Sequence, residues 1–239
     1  MKIAYLGNDK IKFQYNTIGE LRVECIKYNV SIGNDVSIGN DVSIGYDVTI
    51  GNDITIGNDV TIGYGVTIRY NVTIRNNVNI RHRITIGDYV TIGYDVIIGY
   101  EVYIGNDVTI GNNVTIRHRT SIGDNVYIGN DVSIRDRVSI GNGVTIGYDV
   151  ALGNDVTILI RAKVPDGISI FKIIHLQNEY KYHVSAYEFN NIKYIQLGCF
   201  TRTLEEWNSD FWNNDEEFPE ESEEGQKRLE AFNKIVKII

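Results

Sequence analysis

From residue 30 to residue 155 the chain alternates apolar and polar positions on an unbroken six-residue period. Val30-Ser31-Ile32, Val36-Ser37-Ile38, Val42-Ser43-Ile44 and their successors place two branched aliphatic side chains two residues apart, with a Ser or Thr between them. Residues two apart share a face of an extended backbone, so each triplet predicts a short strand with its aliphatic pair inward and its hydroxyl outward. Each triplet is followed by Gly-x-Asp or Gly-x-Asn, as in Gly33-Asn34-Asp35. Gly and Asn tolerate left-handed backbone that β-branched residues do not, and this predicts a tight corner. The array contains 21 hexads in 126 residues, and the looser run VTILIR, AKVPDG, ISIFKI carries it to Ile173, making 24 hexads. Three strands and three corners close one triangular coil of 18 residues, which predicts about eight coils. Upstream, ECIKYN keeps Ile26 and Asn29 in register but puts Glu24 at an apolar place, which marks a cap.

After Ile173 the period breaks. The segment IIHLQNEYKYHVSAYEFNNIKYIQLGCF alternates apolar and polar residues with turn signals at Gln177-Asn178 and Asn190-Asn191, and predicts an antiparallel hairpin or meander. Thr203 before Leu204-Glu205-Glu206-Trp207 reads as a helix N-cap. Leu229, Phe232, Ile235 and Ile238 give helical spacing from about Ser222 to Ile239. Seven acidic residues from Asp215 to Glu224 read as a solvated loop. The predicted organisation is therefore an N-terminal strand or cap (1–29), a β-helix (30–173) and a small α+β module (174–239) that covers an end or mediates assembly.

The hexad itself resembles that of the hexapeptide-repeat family, whose motif is an aliphatic residue, Gly, two variable residues, a small residue and one more. Ile38-Gly39-Asn40-Asp41-Val42-Ser43 matches it. The resemblance implies an all-β fold, a left-handed parallel β-helix, and a homotrimer. It also implies transfer of acetyl or acyl groups from coenzyme A or acyl carrier protein, with a histidine as general base in a cleft between subunits. Separately, residues 194–207 resemble a C-terminal module of bacteriophage and prophage proteins.

Residues 18 apart stack, so the middle corner position falls into three columns. Two are mostly Asn and Asp. The third reads Tyr46, Tyr64, His82, Tyr100, His118, Asp136, Asn154, and six arginines flank it: Arg81, Arg83, Arg117, Arg119, Arg135 and Arg137. One edge is thus aromatic and cationic, although residues 30–155 carry a net charge of −6. Arginine suits bidentate contact with carboxylate or phosphate, and rings offer stacking surfaces. Tyr, His and Arg are equally the residue types of protein interfaces. Glu101, between the two Arg-His-Arg turns, is expected to form a salt bridge across a subunit boundary.

Composition narrows the partners. The 239 residues carry a net charge of −8, which excludes general nucleic-acid or anionic-membrane binding through bulk charge. Cys25 and Cys199 are too few for a disulfide framework, and the N-terminus lacks a signal-peptide stretch, so a soluble cytoplasmic protein is expected, in a host cytoplasm if phage-encoded. His82 and His118 are two coils apart, about 10 Å, too far to share a metal ion. His175 and His183 read as strand residues of the tail, so neither metal nor cofactor is expected. The Thr55, Thr73, Thr91, Thr109 ladder lacks a second outward threonine per strand, which disfavours ice binding.

For function, the expectation is a non-catalytic homotrimeric binding protein, a phage protein sequestering a host signal. Its edge (Arg81, His82, Arg83, Tyr100, Arg117, His118, Arg119, Arg135, Arg137) would hold an anionic, nucleotide-like small molecule or a protein partner. The absence of any loop inserted between 30 and 155 weighs against catalysis, because enzymes of the family usually interrupt the helix to build an acceptor pocket. The alternative is an acyl- or acetyltransferase with His82 or His118 as general base, each expected to be held neutral by its flanking arginines. A second alternative is a structural virion or scaffold trimer.

Overall fold

The computed structural model describes residues 1–7, 10–158, 162–164, 166–167, 169–170, 173–176, 184–189, 192–197, 200–211 and 221–237. The chain forms two compact units, Met1–Ile168 and Ser169–Ile239.

The first unit is a left-handed parallel β-helix of about seven turns. Its strands recur every six residues from Ser31–Ile32 to Lys163–Val164 and build three parallel sheets. One runs from Ser31–Ile32 to Thr157–Ile158, the second from Ser37–Ile38 to Lys163–Val164, and the third from Val42–Ile44 to Ala151–Leu152. The register is the 18-residue step read from the hexads: Thr73 pairs with Thr91 and Ile74 with Ile92. Inward positions form aliphatic columns, with Val72, Ile74, Val96 and Ile98 at 0% exposure. Each such side chain contributes about 1.5–3 kcal/mol, so the columns hold the coils together.

The corners have a second reason for their composition. Their third residue is left-handed, with φ from +52° at Asp35 to +69° at Gly143, and its N–H donates to the carbonyl of the middle corner residue one coil earlier, as from Asp53 to Asn34 at 3.0 Å. The middle residue's own N–H donates to a side chain 18 residues later, as from Asn34 to Asn52 Oδ1 at 2.8 Å. Backbone groups that a turn would leave unmet are thus satisfied by the neighbouring coil. Asn and Asp dominate because they supply both the conformation and the acceptor.

The N-terminal cap is a hairpin and a helix. Lys2–Leu6 pairs antiparallel with Ile11–Tyr15 and parallel with Val42–Ile44. Helix α1 (Ile18–Cys25) starts at Thr17, whose side chain accepts from the Glu20 N–H, and it buries Leu21 and Cys25; the misplaced Glu24 belongs to its last turn. Side chains of the cap reach carbonyls of the first coil: Tyr15 Oη donates to Gly39 O (3.2 Å), Lys2 Nζ to Ile38 O (2.6 Å), and Arg22 to Ile32 O (3.1 Å) and Gly33 O. Those donors blunt an otherwise open strand edge.

The second unit holds an antiparallel sheet ordered Ile173–Leu176, Val184–Phe189, Ile192–Leu197, Phe200–Thr203. Helices α2 (Leu204–Ser209) and α3 (Glu223–Val236) follow. Thr203 and Glu206 form a reciprocal capping box, and Ser222 caps α3. Val184, Ala186, Ile195, Leu197, Trp207, Phe211, Ala231, Phe232 and Ile235 make its core, and Trp207 Nε1 donates to Ile195 O at 2.8 Å. Arg228, 1% exposed, lies with its guanidinium 5.1–5.7 Å from the rings of Phe200, Trp207 and Phe211. The expected turns at 177–178 and 190–191, His183, Cys199, Ile238 and the acidic residues 215–220 lie outside the described residues.

Candidate functional site

The corners between the third and first sheets carry the aromatic and cationic edge. The rings form a column: Tyr64 and His82 stack at 4.2 Å and 17°, His82 and Tyr100 follow at 5.2 Å, and Tyr100 and His118 at 4.7 Å. Two rungs of this column are imidazoles. The Tyr64 N–H donates to His82 Nδ1 at 3.0 Å and the Tyr100 N–H to His118 Nδ1 at 2.9 Å, in the place that Asn or Asp oxygens take elsewhere. Below them, the His118 N–H donates to Asp136 Oδ1 at 3.0 Å. An alanine Cβ at position 99 would lie 2.7 Å from His118 Nδ1, so glycine leaves the ring its place.

The arginines divide by partner. Arg83 Nη1 and Arg119 Nε reach the two oxygens of Glu101 at 3.5 and 3.1 Å, so that carboxylate links the coils on either side of its own within one chain. Arg137 grips Asp155 with two hydrogen bonds, and its guanidinium depresses the Asp155 carboxyl. Arg81 donates to Tyr100 Oη at 3.3 Å with its guanidinium 5.4 Å from that ring. The guanidinium groups of Arg117 and Arg135 make no ion pair among the described residues. Burial first, then Arg81 and Arg83, lowers the His82 pKa and favours the neutral ring.

Two features escaped the sequence reading. The third corner position of this column is held by Arg83, Glu101, Arg119 and Arg137 in four successive coils, all left-handed with φ of +55° to +58°. At the other described corners that position is Asn, Asp or Gly, with Tyr89 as the exception. Left-handed backbone costs an ordinary L residue about 1–2 kcal/mol, and such strain gathers at functional sites. The second feature is Thr120, a buried hydroxyl in an inward slot that is Val or Ile in every other hexad of the array. Its Oγ1 donates to the Arg135 carbonyl at 3.2 Å and so ties two coils together behind the arginines. Its signal was the single break in the aliphatic column.

Among the described residues no group of three or more His, Cys, Asp or Glu could hold a metal ion, and no helix is long and apolar enough to cross a membrane.

Uninterrupted hexads and corner-to-corner rungs define a hexapeptide-repeat solenoid. The family model described as bacterial transferase hexapeptide (six repeats) matches residues 29–70, 83–118 and 119–154, just under half of the chain, which carries that family's repeat. No curated protein is matched in sequence. Among solved structures, the chain is similar to the polySia-specific acetyltransferase NeuO, at 17% identity over 72% of this chain and 86% of that one, with a TM-score of 0.45. A UDP-N-acetylglucosamine acyltransferase from Bacteroides fragilis matches at 19% identity, 67% and 70% coverage and a TM-score of 0.36. A perosamine N-acetyltransferase from Caulobacter crescentus matches at 16% identity, 64% and 60% coverage and a TM-score of 0.29.

The family match corrects the expectation of a non-catalytic binding protein: the matched repeat is the one described for bacterial transferases. The expectation erred by weighing the missing loop against catalysis, although chemistry-bearing side chains already project from the corners.

Proposed function

We propose that this chain is an acyl- or acetyltransferase of the hexapeptide-repeat type, drawing on a thioester donor, with its site on the corner column of residues 81–83, 99–101, 117–119 and 135–137. The run of Arg83, Glu101, Arg119 and Arg137 carries the location, because every corner demands left-handed backbone at this place and four successive coils of this column fill it with residues other than Gly, Asn or Asp. The transferase repeat supplies the reaction class. His82 and His118 are the imidazoles at the acyl centre. Arg117 and Arg135 are available to phosphate or carboxylate groups of donor or acceptor, because guanidinium binds planar oxyanions bidentately. A homotrimer fits this reading, with the column facing a cleft between subunits. The phage resemblance of residues 194–207 adds no substrate to it.

The test is release of free thiol from acetyl-coenzyme A in the presence of amine-bearing and hydroxyl-bearing sugar acceptors. Native mass spectrometry of the same sample reports the subunit count. Turnover that falls by at least about 10²-fold in His82→Ala or His118→Ala agrees with general acid–base or electrophilic work by an imidazole. No thiol release above background from the wild-type protein with any acceptor sinks the reading.

A further inference from the structure

The group facing each imidazole is a backbone amide, and an amide N–H donates only. Nδ1 of His82, 3.0 Å from the Tyr64 nitrogen, must therefore present its lone pair, as must Nδ1 of His118, 2.9 Å from the Tyr100 nitrogen. A neutral imidazole whose Nδ1 accepts carries its proton on Nε2. The rest of the ladder makes the same point, because the atoms that fill this place at other rungs are oxygens. Asn76 Oδ1 accepts from Asn58 at 2.9 Å, and Asp124 Oδ1 accepts from Asn106 at 2.7 Å. Histidine keeps the rung and adds an N–H on the far side of the ring.

We infer that His82 and His118 act as Nε2–H hydrogen-bond donors toward an acyl or anionic oxygen of the substrate, not as general bases. This rests on the transferase reading of the same column and fixes the role of its imidazoles. A base at that edge needs a bare Nε2, which the rung denies. In the transfer, the acceptor nitrogen or oxygen bonds to the thioester carbonyl carbon and the π pair moves onto the carbonyl oxygen. There the Nε2–H groups and the guanidinium charges stabilise it. Collapse restores the carbonyl and breaks the C–S bond, and the acceptor's proton ends on the departing thiolate as a free thiol.

The tautomer is measured first, by long-range proton–nitrogen correlation on the full-length 15N-labelled protein, with His82→Asn and His118→Asn assigning the two rings by loss of signal. The expected pattern is a lone-pair Nδ1 and a protonated Nε2 on both. Asparagine retains the rung acceptor and lacks the Nε2–H, so each variant keeps the wild-type melting temperature. The one whose ring meets the acyl oxygen loses about 10²-fold in kcat. A protonated Nδ1 on these rings overturns the inference, as does unchanged kcat in both asparagine variants. Absence of turnover in the wild-type protein overturns the transferase reading alone, because the tautomer is read without substrate.

Discussion

Replacing Thr120 with valine separates stability from function at this edge. The residue is 1% exposed and its Oγ1 donates to the Arg135 carbonyl at 3.2 Å. Valine has nearly the same shape and is the residue that most other hexads place in this slot. Losing the hydrogen bond costs about 0.5–1.5 kcal/mol. Exchanging hydroxyl for methyl in a buried aliphatic column returns about 0.8 kcal/mol, and water can serve the carbonyl of the exposed Arg135. The two effects offset to within about 1 kcal/mol, a melting shift of no more than about 4 °C for a chain of this size. Function is expected to respond differently, because the hydroxyl is what ties the Arg135 corner to the coil before it. A loosening worth about 1.4 kcal/mol in the transition state lowers the transfer rate tenfold. Thr120→Ser is the mirror control. It keeps the donor but leaves a methyl-sized void, so it melts lower by roughly 1 kcal/mol and transfers at the wild-type rate. Thermal unfolding by circular dichroism and thiol release should therefore rank the two variants in opposite orders. A valine variant that is fully active, or that loses more than about 3 kcal/mol, would show that the hydroxyl is not a positioning device.

Relief of backbone strain gives a second test. Arg83→Asn removes an ordinary residue from φ +56° and a 3.5 Å ion pair whose members are 64% and 43% exposed. Strain relief outweighs so exposed a pair, and the urea midpoint is expected to rise by about 0.5–1 kcal/mol while transfer slows; a lower midpoint refutes the strain argument. The N-terminal cap sets the alkaline limit of the first unit. Burial pushes both the Tyr15 hydroxyl and the Cys25 thiol up to about 12, from ordinary values of 10.0 and 9.0. Both groups are favoured neutral in the fold, so their stabilisation is complete below about pH 9 and is lost as pH rises toward 12. Tyr15→Phe should therefore flatten the fall in melting temperature between pH 10 and 12, and an unchanged slope would refute the assignment.

The hexads made the solenoid legible because they state two facts at once: period-two alternation for the strands, and a left-handed-tolerant corner every six residues. The 18-residue stacking followed from counting, and so did the edge that gathers His82, His118 and the arginines. The N-terminal hairpin was less legible, since Lys2–Leu6 is short and its pairing with Val42–Ile44 is a contact across some forty residues. The direction of function was misjudged because an insertion was taken as the mark of catalysis, whereas the repeat that the chain carries is itself the one described for bacterial transferases.

By itself the sequence determined the parallel β-helix, its register and the column of rings and guanidinium groups, since all of these follow from local periodicity repeated many times. The tertiary structure alone decided that the Tyr64 and Tyr100 amides meet Nδ1 of His82 and His118, that Glu101 is held by Arg83 and Arg119 of its own chain, and that Thr120 ties down Arg135. Each of these depends on atoms brought together from neighbouring coils, where a donor on one turn meets an acceptor on the next, and residue type alone does not state which atoms meet.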